Sequence, residues 1–329
     1  MIITQTPLRI GLVGGGTDLP QFYREHGGRV LSCAIDKYVY VIVKERFDAD
    51  IYVNYSRKEI VGKVDELEHE LVREAMKMAE VDKAVEITML ADIPSSGSGL
   101  GSSSAVTVGL LNALLAYRGR QVTGEDLAEM ACEIEIGRCG KRIGKQDQYL
   151  AALGGLRDLR FGPGEQVVAE QITLPNSDLR SFQSQLMLFF TGITRLAEPI
   201  LREQADNVAT TSPQLLRLAV LAGEAVNNIS HGDIDGLASA MRTSWEMKRT
   251  LASGITNREI DDAVSLALDA GATGAKITGA GGGGFLLLIC PLDHQACVRE
   301  RLSHMRELPI RLDRLGSRIV LNMMRDIWS

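Results

Sequence analysis

Apolar and polar positions along the chain change period several times, and each change predicts an element. Residues 8–13 are continuously apolar apart from Arg9 and Gly11, and read as a strand running into Gly14-Gly15-Gly16. Residues 39–43 alternate β-branched positions with tyrosine and isoleucine, as a strand prefers. Over 65–79, Leu67, Leu71, Val72, Ala75 and Met78 fall near one face of a helix, and 85–90 reads as another strand. Residues 105–117 and 123–136 are helical, the second opened by a Thr123 cap with Glu125 and Asp126 in its first turn. Strands at 154–161 and 167–174 pair around the Gly162-Pro163-Gly164 turn.

After a loop at Pro175-Asn176-Ser177-Asp178 the texture changes. Two to four amphipathic helices fill most of 196–270, short strands follow at 275–278 and 285–290, and a helix near 293–305 and two terminal strands close the chain. The expectation is an α+β protein of two domains, 1–175 and 176–329. The 329 residues are about twice a common single domain, which agrees with two domains sharing one cleft.

Apolar residues make up 45% and charged residues 24%, enough to bury a sizeable core. The net charge of −6, without a basic run, argues against nucleic acid as the main partner. The first ten residues lack a signal peptide's charged start and apolar stretch, and the longest strongly apolar run, 285–290, is too short to span a bilayer. Five cysteines form no CxxC pair, and five histidines are scattered, so reduced thiols and no structural zinc are expected. A cytoplasmic enzyme without a membrane partner follows, with a homodimer left open.

Four segments carry chemistry. In PSSGSGLGSSSA, glycines 97, 99 and 101 let several N–H groups converge, and the helix that follows adds its free N–H groups and dipole. No charged side chain occurs from Ile93 to Tyr117, so a phosphate there would rest on backbone dipoles, serine hydroxyls and a metal ion. The segment has neither GxxxxGK[ST] nor GxGxxG spacing, and a flexible linker would seldom run straight into a long apolar helix. In PLRI followed by GGGTD, a strand delivers Thr17 and Asp18 to a strand end, where they could equally cap a helix near Leu19. KITGAGGGG puts five glycines in six positions between two strands, for close approach to a ligand or for a wide hairpin. Finally, Glu135 ends one helix and Asp147 starts another, with glycines 137, 140 and 144 between them. The two carboxylates could converge, one on Mg²⁺ and one beside an acceptor hydroxyl, or lie on a solvated loop.

Taken in order, PLRIGLVGGGTD, PSSGSGLGSSSA and KITGAGGGG resemble the three motifs of the GHMP kinases (galactokinase, homoserine, mevalonate and phosphomevalonate kinases), and they extend from 7 to 284. GGGTDLP and GKQDQY look most like a bacterial branch that phosphorylates D-glycero-D-manno-heptose 7-phosphate at its anomeric hydroxyl. The resemblance implies a ribosomal-S5-like amino-terminal domain, a ferredoxin-like carboxy-terminal domain, and ATP with Mg²⁺ between them. It assigns Gly97, Ser98, Gly99, Gly101, Ser102, Ser103 and Ser104, with Gly281 and Gly282, to the ATP phosphates. It assigns Ser103 and Glu135 to Mg²⁺, Asp147 to catalysis, and Thr17 and Asp18 to sugar hydroxyls. Arg9 would cover part of the role of a lysine that some mevalonate-type enzymes carry near this strand, and Lys145 would act on the phosphoryl group or on Asp147. Galactokinases usually have a longer acidic, histidine-containing motif where Gly16-Thr17-Asp18 stands, which sets galactose apart.

Charge adds one expectation. Arg138, Lys141, Arg142 and Lys145 crowd the turn before Asp147, and Arg195 and Lys248 follow later. Arg138, Arg142, Arg195 and Lys248 are candidates to grip a phosphate already on the acceptor, against the plainer reading of a solvated basic loop. The rival functions are kinase action on an unphosphorylated sugar (fucose- or galactose-like), and a ligand sensor of the same fold without catalysis.

Overall fold

The computed structural model describes residues 1–93 and 97–323; the Pro94-Ser95-Ser96 start of the glycine-serine motif lies outside them. The first half runs β1 (Ile2–Val13), α1 (Pro20–His26), β2 (Gly28–Glu45), β3 (Ile51–Asn54), β4 (Lys58–Val61), α2 (Glu70–Ala79), β5 (Val85–Ala91) and α3 (Ser102–Tyr117). It continues through α4 (Gly124–Cys132), α5 (Gln146–Leu153), β6 (Leu156–Phe161) and β7 (Val167–Gln171). Then come α6 (Asn176–Gln185), β8 (Leu186–Phe190), α7 (Glu198–Asp206), α8 (Val208–Ser230), α9 (Ile234–Lys248) and α10 (Arg258–Asp269). The chain closes with β9 (Gly274–Ile277), β10 (Phe285–Ile289), α11 (Gln295–Arg301), β11 (Arg306–Glu307) and β12 (Arg318–Asn322).

The larger sheet has the order β12-β1-β2-β5-β3-β4, with β6 on β2 and β7 on β6. On its edge away from β1, β2 is long enough to serve two partners: its first half pairs with β6 and its second half, where Val39, Val41 and Val43 alternate inward, pairs with β5. α3 is apolar on all sides because it is enclosed on all sides, with Val108, Leu110, Leu111 and Leu114 fully buried. It lies so close to β1 that a Cβ at Gly109 would sit 2.9 Å from the Thr6 hydroxyl. That contact sets the height of the helix amino terminus over the strand that carries Arg9.

The second sheet, β11-β8-β10-β9, has the strand order and βαββαβ succession of the ferredoxin-like fold. Leu186 and Leu188 of β8 and Phe285, Leu287 and Ile289 of β10 face the larger core. Met187, Phe189, Leu286 and Leu288 face a second core with Trp245, Ile260 and Val298. Both faces being covered, β8 reads as an unbroken apolar run with no alternation. Lys276 of β9 joins the sheets: its buried ammonium donates to the carbonyls of Gly11 (2.8 Å) and Leu12 (3.2 Å), where the β1–β2 register shifts. Burial pushes that lysine well below its usual range.

Three expectations change. The 176–178 segment opens α6 instead of forming a loop, because Phe182, fully buried, anchors a Ser/Gln-rich helix whose apolar stripe is too sparse to read. The helix expected over 123–136 gives way at Glu133 to a π-helical turn, Glu133–Arg138. The division at 175 separates the sheets but not the chain's end: β12 returns to pair with β1, Ile2 opposite Asn322 and Gln5 opposite Arg318. Among the described residues, no helix is long and apolar enough to cross a membrane, and all five cysteines are free.

Candidate active site

Gly97, Gly99 and Gly101 all adopt left-handed φ (75°, 72° and 76°), which bends the chain tightly before Ser102 opens α3. A Cβ on Gly99 would lie 2.7 Å from the Thr278 carbonyl, so this loop rests directly on the β9–β10 glycine turn. The first turn of α3 contains no acidic residue, and its N–H groups suit an anion. Beside it opens a cavity of about 390 Å³, lined from both sheets.

Asp147, in the first turn of α5, receives a two-pronged pair from Arg9 of β1: Nε to Oδ1 and Nη2 to Oδ2, each 2.6 Å. The third arm, Nη1, donates to the Gly99 carbonyl at 2.7 Å. One guanidinium therefore ties strand, helix and glycine loop together, and the fixed fork geometry makes arginine the residue for it.

Glu135 sits on the π-turn, whose Cys139 N–H reaches back five residues to the Ile134 carbonyl. Fully buried, its carboxylate accepts from Ser103 Oγ (2.7 Å), Ser104 Oγ (2.7 Å) and Gln148 Nε2 (2.6 Å). Burial pushes its carboxyl up, opposed by the Lys141 ammonium and these hydrogen bonds. Lys141 Nζ stands 3.8 Å from Glu135 and 3.5 Å from Ser103 Oγ.

Asp18 is also buried; it accepts from the Gly16 N–H (3.1 Å) and from both the backbone and the side-chain nitrogens of Gln146 (3.2 Å each). Its carboxyl is raised by burial and then by the charge of Asp147. A Cβ at Gly144 would fall 1.8 Å from Asp18 Oδ2, so only glycine fits at that point of the turn. Lys248 donates to the Gly279 carbonyl at 2.7 Å, and burial lowers it to about 8 despite the nearby Asp18.

The cavity gathers Arg9, Asp18, Glu135 and Asp147 with Gly97, Ser98, Gly99, Gly101 and the serines 102, 103 and 104. It also gathers Arg142, Arg195, Lys248 and Gly281. Gly282 is set back from the lining, its N–H bound to the Ile255 carbonyl at 2.7 Å. Three expected residues point elsewhere. The Thr17 hydroxyl, fully buried, lies 2.8 Å from the Gly14 carbonyl and accepts from the Arg29 N–H at 3.1 Å, holding the turn instead of facing the cavity. Lys145 pairs with Glu165 and lies 5.3 Å over the Tyr23 ring. Glu165, although burial opposes it, is drawn down to about 2 by Lys145, Tyr23 and Arg24. Arg138 stands 3.8 Å from Glu74 and from Glu133, on the far side of the π-turn. Lys141, part of the basic cluster but not among the residues expected to bind, lines the cavity, and so does Gln204, which no local motif flags.

Ser103 and Glu135 supply the hard oxygen donors that Mg²⁺ prefers. Among the described residues no cluster of three His, Cys, Asp or Glu could hold a metal alone. Mg²⁺ is commonly held by one or two carboxylates together with substrate phosphates, and Glu135 offers one carboxylate beside the Ser103 hydroxyl. The donor set fits the ion, and the glycine loop with the α3 amino terminus fits a polyphosphate.

Residues 64–155 match the GHMP kinases N terminal domain and 224–307 match the GHMP kinases C terminal domain. The chain is 30% identical over 300 residues to the D-glycero-alpha-D-manno-heptose 7-phosphate kinase of Campylobacter jejuni, covering 87% of this chain and 88% of that one. It is 28% identical to the L-fucokinase/L-fucose-1-P guanylyltransferase of Bacteroides fragilis, with 90% of this chain aligned to 35% of that protein. The solved structure of a D-glycero-D-manno-heptose 1-phosphate kinase from Bacteroides thetaiotaomicron superposes with a TM-score of 0.83 at 23% identity, over 98% of this chain and all of that one. With both family domains matched and their fold and glycine loops in place, the chain belongs to the GHMP kinases, a family of ATP-dependent small-molecule kinases.

Proposed function

We propose that this protein transfers the γ-phosphoryl group of ATP to the anomeric hydroxyl of a sugar phosphate, D-glycero-D-manno-heptose 7-phosphate, giving the 1,7-bisphosphate. The observation that carries the reading is one cavity holding Asp147 on its Arg9 clamp, buried Asp18, and the cations Lys248, Arg142 and Arg195. The relative from Campylobacter jejuni supports the choice of acceptor.

In this mechanism the loop 97–104 and the α3 N–H groups hold the nucleotide phosphates. Ser103 and Glu135 would hold Mg²⁺, which neutralises charge developing on the phosphoryl oxygens. Asp147, both oxygens fixed by Arg9, accepts the hydrogen bond of the acceptor hydroxyl, orients it and takes its proton. The hydroxyl oxygen bonds to the γ-phosphorus as the bond to the β–γ bridging oxygen breaks, and ADP leaves. Rate comes chiefly from positioning and charge neutralisation. Asp18 accepts from sugar hydroxyls, and Lys248, Arg142 and Arg195 face the phosphate that the sugar already bears.

ADP release over a panel of sugars and sugar phosphates, with ³¹P NMR of the product, tests the reading. A new anomeric phosphate on heptose 7-phosphate is the expected result; preference for an unphosphorylated sugar overturns the choice of acceptor. Fucose belongs in that panel because of the fucokinase relative.

Lys248 gives a pH signature. Its charged form is the one that holds a phosphate, and with a value of about 8 it loses that charge within the working range. KM for the sugar phosphate is expected to climb as pH rises from 7 to 9, while KM for the dephosphorylated sugar stays level. Lys248→Met should raise KM for the phosphorylated acceptor roughly tenfold or more at pH 7 and flatten the profile. An unaltered profile in the variant removes Lys248 from the phosphate site.

A further inference from the structure

We propose that Gln204 is a specificity-determining residue, whose side-chain amide donates a hydrogen bond to an uncharged hydroxyl of the acceptor at the Gly16–Asp18 end of the cavity. The inference rests on the functional reading above and deepens it.

Three residues close to Gln204, at the end of α7 and just after it, pin the helix. Glu203 accepts from the Ser253 N–H (2.8 Å) and Ser253 Oγ (2.9 Å), Asp206 receives Arg142 at 2.6 Å, and Asn207 donates to the Leu251 carbonyl at 3.3 Å. Ile200 and Ala205 bury the apolar side of the helix. Gln204 lies between these anchors, 3% exposed, and lines the cavity. Its Nε2 is buried with no hydrogen-bond partner. Buried amide donors are nearly always satisfied in folded proteins, so an orphan held rigidly at a cavity wall points to a partner that arrives with the ligand.

Position says which end of the ligand that is. A Cβ placed on Gly16 would lie 3.7 Å from Gln204 Oε1, a place that a half-turn of the amide gives to Nε2, and the Gly16 N–H itself donates to Asp18. Gln204 and Asp18 therefore share the turn assigned to the sugar, whereas the nucleotide loop packs on Arg9 and Thr278. Leu215 and Leu251 flank the same spot, at 3.6 and 3.8 Å from that Cβ position, and keep it dry. Chemistry says what kind of group it is. The cavity already holds five cations in Arg9, Lys141, Arg142, Arg195 and Lys248. A neutral amide, able both to donate and to accept, matches a hydroxyl, which does the same. A buried polar group left unpaired by an analogue that lacks this hydroxyl discriminates far more strongly than apolar contact does.

Gln204→Met keeps the length of the side chain and removes its donors. In the full-length enzyme, KM for the acceptor is expected to rise about 10- to 100-fold, with kcat and KM for ATP within about twofold of the parent, the mark of lost ground-state binding. The melting temperature of the free variant should stay level or rise, because an unsatisfied buried donor has gone; a purely structural glutamine would lower it. Against a series of deoxy analogues of the acceptor, the parent should reject one position strongly and the variant should not. An unchanged acceptor KM, or a lowered melting temperature with all kinetic constants shifted together, overturns the inference. If the parent phosphorylates no sugar in the panel, the functional reading fails and this inference with it. If the parent is active and the variant behaves like it, this inference alone fails.

Discussion

Asp147→Asn is expected to lower kcat by at least about a hundredfold while KM for ATP changes little. The carboxylate uses one lone pair on each oxygen for Arg9, at 2.6 Å, and keeps another free toward the cavity. An asparagine keeps the size but offers Arg9 a single oxygen and turns an N–H toward the guanidinium. It can neither take the acceptor's proton nor hold Arg9 by both prongs. Arg9, only 6% exposed, loses its countercharge, a cost of about 1–3 kcal/mol for a pair whose acid is partly open to solvent. A melting curve therefore accompanies the kinetics, to show that the loss is one of turnover and not of fold. Turnover near that of the parent would remove Asp147 from the chemistry.

The second large effect concerns Glu135. Glu135→Gln should lower kcat by about a hundredfold and raise the Mg²⁺ concentration needed for half-maximal rate by tenfold or more, since a carboxylate oxygen near Ser103 is lost. The fold should survive. The buried Oε1 of Gln148 has no partner, and a turn of that amide lets it accept from the new glutamine. The pH dependence runs in a definite direction. Burial holds the Glu135 carboxyl above its ordinary 4.5, so its contribution to stability is complete below that value and is lost as pH rises through the folded value. The neutral variant, measured without Mg²⁺, should melt at or above the parent's temperature at pH 8, with the difference shrinking toward pH 4. A variant with the parent's Mg²⁺ response would move the metal site elsewhere; one that melts lower at pH 8 would mean that the carboxylate serves the fold.

The pattern of apolar positions and glycines was enough for the α+β class, most elements and the three glycine-rich motifs. These features are local: a strand's alternation, a cap such as Thr123 bound to the Asp126 N–H, and a turn needing left-handed φ are each written in a few neighbouring residues. Asp147, Glu135 and Asp18 could be singled out as candidates because glycine turns and helix starts bracket them, and the family resemblance supplied their expected roles. What stayed hidden depends on where a side chain goes once distant elements pack. Lys145 and Arg138 sit among the same four cations as Arg142, yet Glu165 and Glu74 draw them away from the cavity while Arg142 faces it. Thr17 is consumed by the turn it was expected to decorate. β12 joins β1 across more than 300 residues, and Gln204 reaches the cavity only because α7 is anchored to Ser253 and Arg142. The chain's own pattern determined which chemical groups exist and which turns present them. Tertiary packing alone decided which of them meet, because the direction and burial of a polar side chain are set by partners that no local spacing records.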